Sequence, residues 1–236
     1  MQWEDSGIVL RYRSYSEKQL IASIFTQHHG RVDGMVMRTK SSLPQPGDFV
    51  KLQRKARLEQ HMGTLKLETK QSHSSLQFCE STRVYALKSM LEMLSTLLPE
   101  NHPYEKLWQY TNETILSFYN FNEALKAYCL FEVMLVEELG FGLSLDECAV
   151  TGSSDNLSHV SPKTGRAVCY EAAKPYITKL LPLPKFLLDQ NNNPITATDY
   201  VHALQLTGHF LLNHASHNRP LPIERSELLL KLKSHL

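Results

Sequence analysis

The spacing of apolar residues changes near residue 70. Before it, apolar positions alternate with polar ones in short runs; after it, they recur every third or fourth residue. Alternation belongs to strands with one buried face, and a 3.6 period to helices. SGIVLRYR alternates about Ile8, Leu10 and Tyr12, and KQLIASIFT runs on to HHGR, where Gly30 can supply the positive φ of a turn. VDGMVMRTK makes a third strand before SSLPQPGD breaks the chain with two prolines and a glycine. DFVKLQRKARLE resumes the pattern, with Val50, Leu52, Ala56 and Leu58 expected on one face and Lys51, Gln53, Lys55 and Arg57 on the other. After a turn near Gly63, TLKLETK makes a fifth strand. Five short strands and no long helix predict a small closed barrel, because closure removes exposed strand edges.

Beyond Lys70, Leu87, Met90, Leu91 and Leu94 predict a helix that Pro99 ends, and Leu107, Tyr110, Thr114 and Ile115 a second one opened near Pro103. NEALKAYCLFEVMLVEELG is apolar on almost every side, which predicts the most buried helix of its domain, and Gly140 can cap it. A loop holding Cys148 and Cys169 follows, then the proline-broken KPYITKLLPLPKFLLDQNNNP and two closing helices, TATDYVHALQLTGHFLLNHAS and IERSELLLKLKSHL. The expected class is therefore α+β: a barrel domain over 1–75 and a helical domain over 76–236 with an insertion at about 146–172.

Charge sharpens this division. The net charge is only +1, but the first 70 residues carry 12 Lys and Arg against 7 Asp and Glu, a net of +5, and the rest 13 against 17, a net of −4. A basic module joined to an acidic one suggests a polyanion partner for the first. Arg31, Arg38, Lys40, Lys51, Arg54, Lys55 and Arg57 are the candidate phosphate contacts, and the few nearby aromatics favour backbone-driven, sequence-independent binding over base readout. The competing reading is a solvated polar face. RNA also stays open as a ligand, since a groove that reads backbone discriminates weakly without a contact to the 2′-hydroxyl.

Other chemistry is less well supported by spacing. Four-thiolate zinc ribbons pair C-x2-C with C-x2-C, and here Thr151 and Ala172 stand where the second member of each pair would be. His159 could be a third ligand with Cys148 and Cys169, but no fourth is apparent, so a metal-free hairpin is expected. His202 and His209 share a helix face and His214 lies one turn from His217, yet none of these pairs has the i, i+4 spacing that grips an ion from one face. No G-x-S-x-G, G-x4-GK[ST] or GxGxxG motif occurs. No catalytic set, no cofactor and no membrane span are expected; the N-terminus lacks a signal-peptide pattern, and the four unpatterned cysteines suit a reducing cytosol.

In order, the runs W-x-D-x-GIVL at Trp3 to Leu10, Ser16-Glu17, IFTQHHGR at Ile24 to Arg31, and PGDFVKLQRKARLEQHMGTLKLE at Pro46 to Glu68 resemble the opening of the bacterial RecO family. ELGFGLSLDECAVTG, VSPKTGRAVC, LLPLPKFL and RPLPIERSELL continue that likeness through the C-terminal part. The resemblance implies a five-stranded OB-fold barrel followed by an all-helical domain with a degenerate zinc-ribbon-like insertion. It also implies a cytoplasmic, non-enzymatic recombination mediator that binds single- and double-stranded DNA and anneals complementary strands. The implied partners are RecR and the acidic C-terminal tail of the single-strand DNA-binding protein, with loading of recombinase onto gapped DNA as the outcome. A site for such a tail needs a cation beside an apolar pocket, and Arg83, Lys88, Lys126, Arg219 and Arg225 are the candidate cations. The alternative is an interaction adaptor whose barrel docks on a protein or RNA; a hydrolase with an unrecognised site is a third reading.

Overall fold

The structure is a computed structural model that describes residues 1–38, 43–58, 61–188, 194–216 and 219–234. Two compact units divide it, Met1–Tyr119 and Asn120–Leu236. In the first, β1 (Gln2–Ser14), β2 (Gln19–Thr26), β3 (Gly30–Met37), β4 (Phe49–Lys55) and β5 (Thr64–Gln71) close in the order β1-β2-β3-β5-β4, with β4 returning to β1. Among the described barrel pairs β3 and β5 alone run parallel, the arrangement of a five-stranded OB-type barrel.

The barrel interior is filled by Val9, Ala22, Ile24, Val32, Val50 and Leu52 among others, with Tyr12 and Trp3 packed against them. Ile8 and Leu10, expected to share a face with Tyr12, lie outside this cluster although both are buried. A register shift between Val9 and Arg11 reverses the phase of β1, so Val9 and Tyr12 point inward while Ile8 and Leu10 face the other way. The outer side of β1 and β2 is covered by α1 (Ser81–Leu97), and Trp108 of α2 (Glu105–Ser117) meets Phe25 edge-on at 5.6 Å. These helices therefore belong to the barrel unit, which runs on past the change of pattern near residue 70. Gly30 takes φ +68°, and a β-carbon there would run into the carbonyl of His102, so this turn admits only glycine.

The second unit is built on α3 (Phe121–Val136), whose Tyr128, Phe131, Leu135 and Val136 are fully buried, as its apolar circumference predicts. A π-turn at Glu137–Phe141 ends it, with Gly140 at φ +88°. A three-stranded sheet follows, β6 (Leu157–Val160) between β7 (Ala167–Cys169) and β8 (Leu181–Pro182), with the one-turn α4 (Tyr170–Ala173) between β7 and β8. The helix α5 (Ala197–Phe210) opens on a capping box between Thr196 and Asp199, and α6 (Ile223–Lys233) closes the unit. Hydropathy did not foresee Glu132 on α3, which is 0% exposed. Arg225 of α6 donates to both of its oxygens at 2.8 Å, and the Thr207 hydroxyl also donates to it. That pairing satisfies a charge which could not be buried alone.

Candidate nucleic-acid interface

On β4, Lys51, Gln53 and Lys55 face outward, as alternation requires. Their neighbours change what that face can do. The register sets Gln53 opposite Glu4 of β1 and Lys66 of β5, and Lys51 opposite Ser6 and Glu68. Lys51 Nζ lies 2.6 Å from a Glu4 carboxylate oxygen, and Lys70 donates to Glu68 at 2.8 Å. The side-chain amide of Gln53 donates to Glu4 as well, at 3.0 Å. Hydrogen bonding and charge from Lys51 hold the Glu4 carboxyl below its ordinary range, and Lys70 does the same for Glu68. The shallow cleft of about 130 Å³ along these strands is lined by both signs of charge. Two carboxylates thus occupy a face that β4 alone would make uniformly basic.

Two of the expected contacts are not surface groups. Strict alternation from Val50 through Leu52 turns the next position, Arg54, inward, where it is 4% exposed. Its guanidinium stacks over Trp3 at 5.8 Å and donates to the His61 carbonyl at 2.6 Å. Leu58, expected inside, is exposed because β4 ends at Lys55 and the alternation ends with it. Arg31 is committed within its own unit: it donates to the Leu98 carbonyl at 2.8 Å, to Asp33 at 3.0 Å and to Glu100 at 3.3 Å, leaving 12% of its side chain exposed. Arg38, Lys55 and Arg57 are exposed, and Lys40 lies outside the described residues.

The register brings the exposed cations together at one end of the barrel. Gln19 pairs with Met37, and the Arg38 N–H donates to the Lys18 carbonyl, so the β1–β2 turn abuts the end of β3. Met35 pairs with Thr64 and its N–H donates to Gly63, which brings the connection between β4 and β5 to the same end. Arg13, Lys18 and Arg38 therefore share this rim with Lys55 and Arg57, and Tyr15 stands 61% exposed among them. Arg13 reaches Asp33 at 2.8 Å yet keeps half its side chain exposed. In OB-type barrels the face of strands 2 and 3, between the β1–β2 and β4–β5 loops, is the usual nucleic-acid platform, with cations tracking phosphates and an aromatic stacking on a base. Arg13, Tyr15 and Lys18 escape a reading of the chain because their segment, RYRSYSEK, shows cations and a turn but no sign that β3 and the β4–β5 connection come alongside.

Asp5, 8% exposed, ties β1 to the β2–β3 turn, at the far end of the β2–β3 hairpin from Arg38. The rings of His28 and His29 reach it at 2.9 and 2.7 Å, and the main-chain N–H groups of Ser6 and His28 donate to it as well. Burial opposes its charge, but these hydrogen bonds, those of His29 and His28 foremost, hold its carboxyl below the ordinary value. His29 also stacks flat on Trp3, with centroids 3.8 Å apart.

Comparison with known proteins decides what kind of barrel this is. The family model described as "Recombination protein O N terminal" matches residues 1–73, and "Recombination protein O C terminal" matches 80–221. The chain belongs to the RecO family. Proteins named DNA repair protein RecO from Bartonella quintana, Xanthobacter autotrophicus and Cereibacter sphaeroides are 38%, 40% and 39% identical to it, over 91%, 94% and 97% of this chain and 89%, 92% and 98% of theirs. No helix among the described residues is long and apolar enough to cross a membrane.

In this RecO chain the loop between Cys148 and Cys169 does not fit a four-ligand metal site. Thr151 and Ala172 bring a hydroxyl and a methyl where thiolates would be needed, and the His159 ring is engaged with the Ser158 hydroxyl at 2.9 Å. Among the described residues no three His, Cys, Asp or Glu side chains group so as to hold a metal ion. The helix histidines have other company: His209 lies 3.2 Å from the Pro162 carbonyl, and His214 stacks between Phe141 and Phe210; His217 lies outside the described residues.

The thiol pocket is polar all the same. The Cys169 N–H donates to Cys148 Sγ at 3.2 Å, and the Thr151 hydroxyl lies 3.9 Å from Cys169 Sγ. Burial works against ionisation of Cys148, but the N–H of Cys169, the hydroxyl and N–H of Thr151 and the N–H of Val150 outweigh it and bring the thiol down to about 6.

Proposed function

We propose that this RecO family protein is a non-catalytic mediator of recombinational DNA repair. It binds single- and double-stranded DNA through the barrel, anneals complementary strands, and acts with RecR and the single-strand DNA-binding protein to load recombinase. The observation that carries the DNA step is the gathering of Arg13, Lys18, Arg38, Lys55 and Arg57 around exposed Tyr15 at one end of the barrel. Cations placed along two phosphate backbones lower their mutual repulsion so that pairing can nucleate, and the bases supply the energy of pairing. Arg31 and Arg54 take no part in DNA contact, since both are committed inside their unit.

For the acidic tail, a groove of about 640 Å³ in the second unit supports a docking place: Phe186, Leu183 and Ile195 line it together with Lys185, His159 and His202, and among the described residues Asp199 is the one carboxylate in its lining. Arg225, a candidate from sequence, is buried against Glu132, and Arg83 donates to the Phe118 carbonyl.

The test is annealing of complementary oligonucleotides across a salt series. Arg13→Gln/Lys18→Gln/Arg38→Gln should slow annealing at low salt and flatten the salt dependence of single-strand affinity, by about 0.7 in log–log slope for each phosphate no longer neutralised. Lys51→Gln/Lys66→Gln, on the mixed face, should change both much less. Equal behaviour of the two variants sinks the rim assignment, and wild-type protein that holds its protein partners without binding DNA would favour the adaptor.

A further inference from the structure

We propose that Cys148 and Cys169 form a site of reversible oxidation, closing to an intramolecular disulfide when a hydroperoxide is the oxidant. The two side chains already occupy one pocket. Cys148 Sγ touches the main-chain nitrogen of Cys169, and the Thr151 hydroxyl faces both sulfurs. The backbone holds this arrangement: Gly152 N–H closes the turn onto the Cys148 carbonyl at 2.9 Å, and Ala149 N–H ties the turn to the Ala167 carbonyl at 2.8 Å. A sulfur lying against its partner's main-chain nitrogen needs only side-chain rotation and a small shift of the turn to meet the partner sulfur within disulfide geometry. Both cysteines are buried, Cys148 at 1% and Cys169 at 8% exposure, but the turn over them is a surface feature with Val150 71% exposed, so a small outward movement of that turn admits a water-sized oxidant.

The donors around Cys148 favour its thiolate, the form that reacts. The Cys148 thiolate attacks one oxygen of the hydroperoxide, the O–O bond breaks, and Cys148 becomes a sulfenic acid; the departing alkoxide, or hydroxide from hydrogen peroxide, takes up from water the proton that the thiol had released and leaves as alcohol or water. The Cys169 sulfur then attacks the sulfenic sulfur; the S–S bond forms, the S–O bond breaks, and hydroxide leaves as water with the Cys169 proton. Two thiols have lost two electrons and the peroxide has gained them. Cys129, which no step uses, is as buried as Cys148, but there burial prevails and pushes its thiol well up.

The test treats the full chain with a small excess of hydrogen peroxide, blocks remaining thiols with iodoacetamide, and maps non-reduced peptides by mass spectrometry. The expected product is a peptide pair joined through Cys148 and Cys169, lighter by two hydrogens and released by dithiothreitol. Its rate of formation should rise with pH and level off above about 6. In Cys169→Ser the bridge is absent and a dimedone-reactive sulfenic acid appears at Cys148; in Thr151→Val the rate plateau moves to higher pH. Recovery of both thiols free while Cys79 oxidises overturns the proposal. So does a bridge that forms only in urea, because the folded pocket would then have no part in it.

Discussion

Among the described residues each unit buries one arginine, and the two are satisfied in different ways. In the second, Arg225 and Glu132 are removed from water together and satisfy each other inside a helical core. In the barrel unit, Arg54 is drawn only under the rim against Trp3 and a main-chain carbonyl, while Arg13, Arg38 and Arg57 remain in solvent. A charge buried with its counter-ion organises a core but cannot meet a ligand; a charge left in solvent adds little stability and stays available to phosphate. The position of each arginine in its element, more than its residue type, sorts it into one role or the other.

The largest effect should come from breaking the buried pair. Glu132→Ala or Arg225→Ala alone should lower the stability of the second unit by about 3–5 kcal/mol in urea unfolding, because each leaves a stranded charge. Glu132→Leu/Arg225→Met together should recover much of that stability. Next comes the contrast between neighbours on β4. Arg54→Glu should destabilise the barrel by about 3 kcal/mol or more through an uncompensated buried carboxylate, while Lys55→Glu stays within about 0.5 kcal/mol. A comparable cost for both would show Arg54 to be in solvent.

A smaller effect concerns acid. Asp5→Asn should cost roughly 1–3 kcal/mol by leaving hydrogen-bond partners mismatched. Asp5 has its carboxyl lowered on folding, so its contribution is complete above about 3.9 and is lost as pH falls through the lower folded value. Burial lowers the imidazole of His73 in the same sense, against a weaker opposing pull from Asp48, so its share is complete above about 6.5 and declines below it. Urea midpoints measured from pH 7 to pH 3 should fall in two steps, the milder-acid step vanishing in His73→Phe and the lower one shrinking in Asp5→Asn, with the remainder carried by the paired carboxylates of Glu4 and Glu68.

Much of the architecture was legible along the chain because its signals are local. The five strands, the near-uniform apolar surface of α3 and the glycine that ends it follow from period and turn residues. The candidate interface was legible only in part. Arg38, Lys55 and Arg57 keep the exposure expected of them, whereas Arg31 is taken up by Asp33, Glu100 and the Leu98 carbonyl, partners that are distant in sequence apart from Asp33. The neutral character of the β4 face was hidden for the same reason, since Glu4 and Glu68 arrive from other strands.

By itself, the amino-acid sequence determined the five barrel strands and the long helices in their order, the basic character of the first 70 residues and the absence of two thiolates from the cysteine loop, because composition and spacing are properties of the chain before it folds. Tertiary structure alone decided which cations remain available. Closure of the barrel sets β1 and β5 beside β4, the phase of each strand decides inside from outside, and an ion pair such as Glu132–Arg225 exists only once residues 93 apart in the chain are brought within hydrogen-bonding distance.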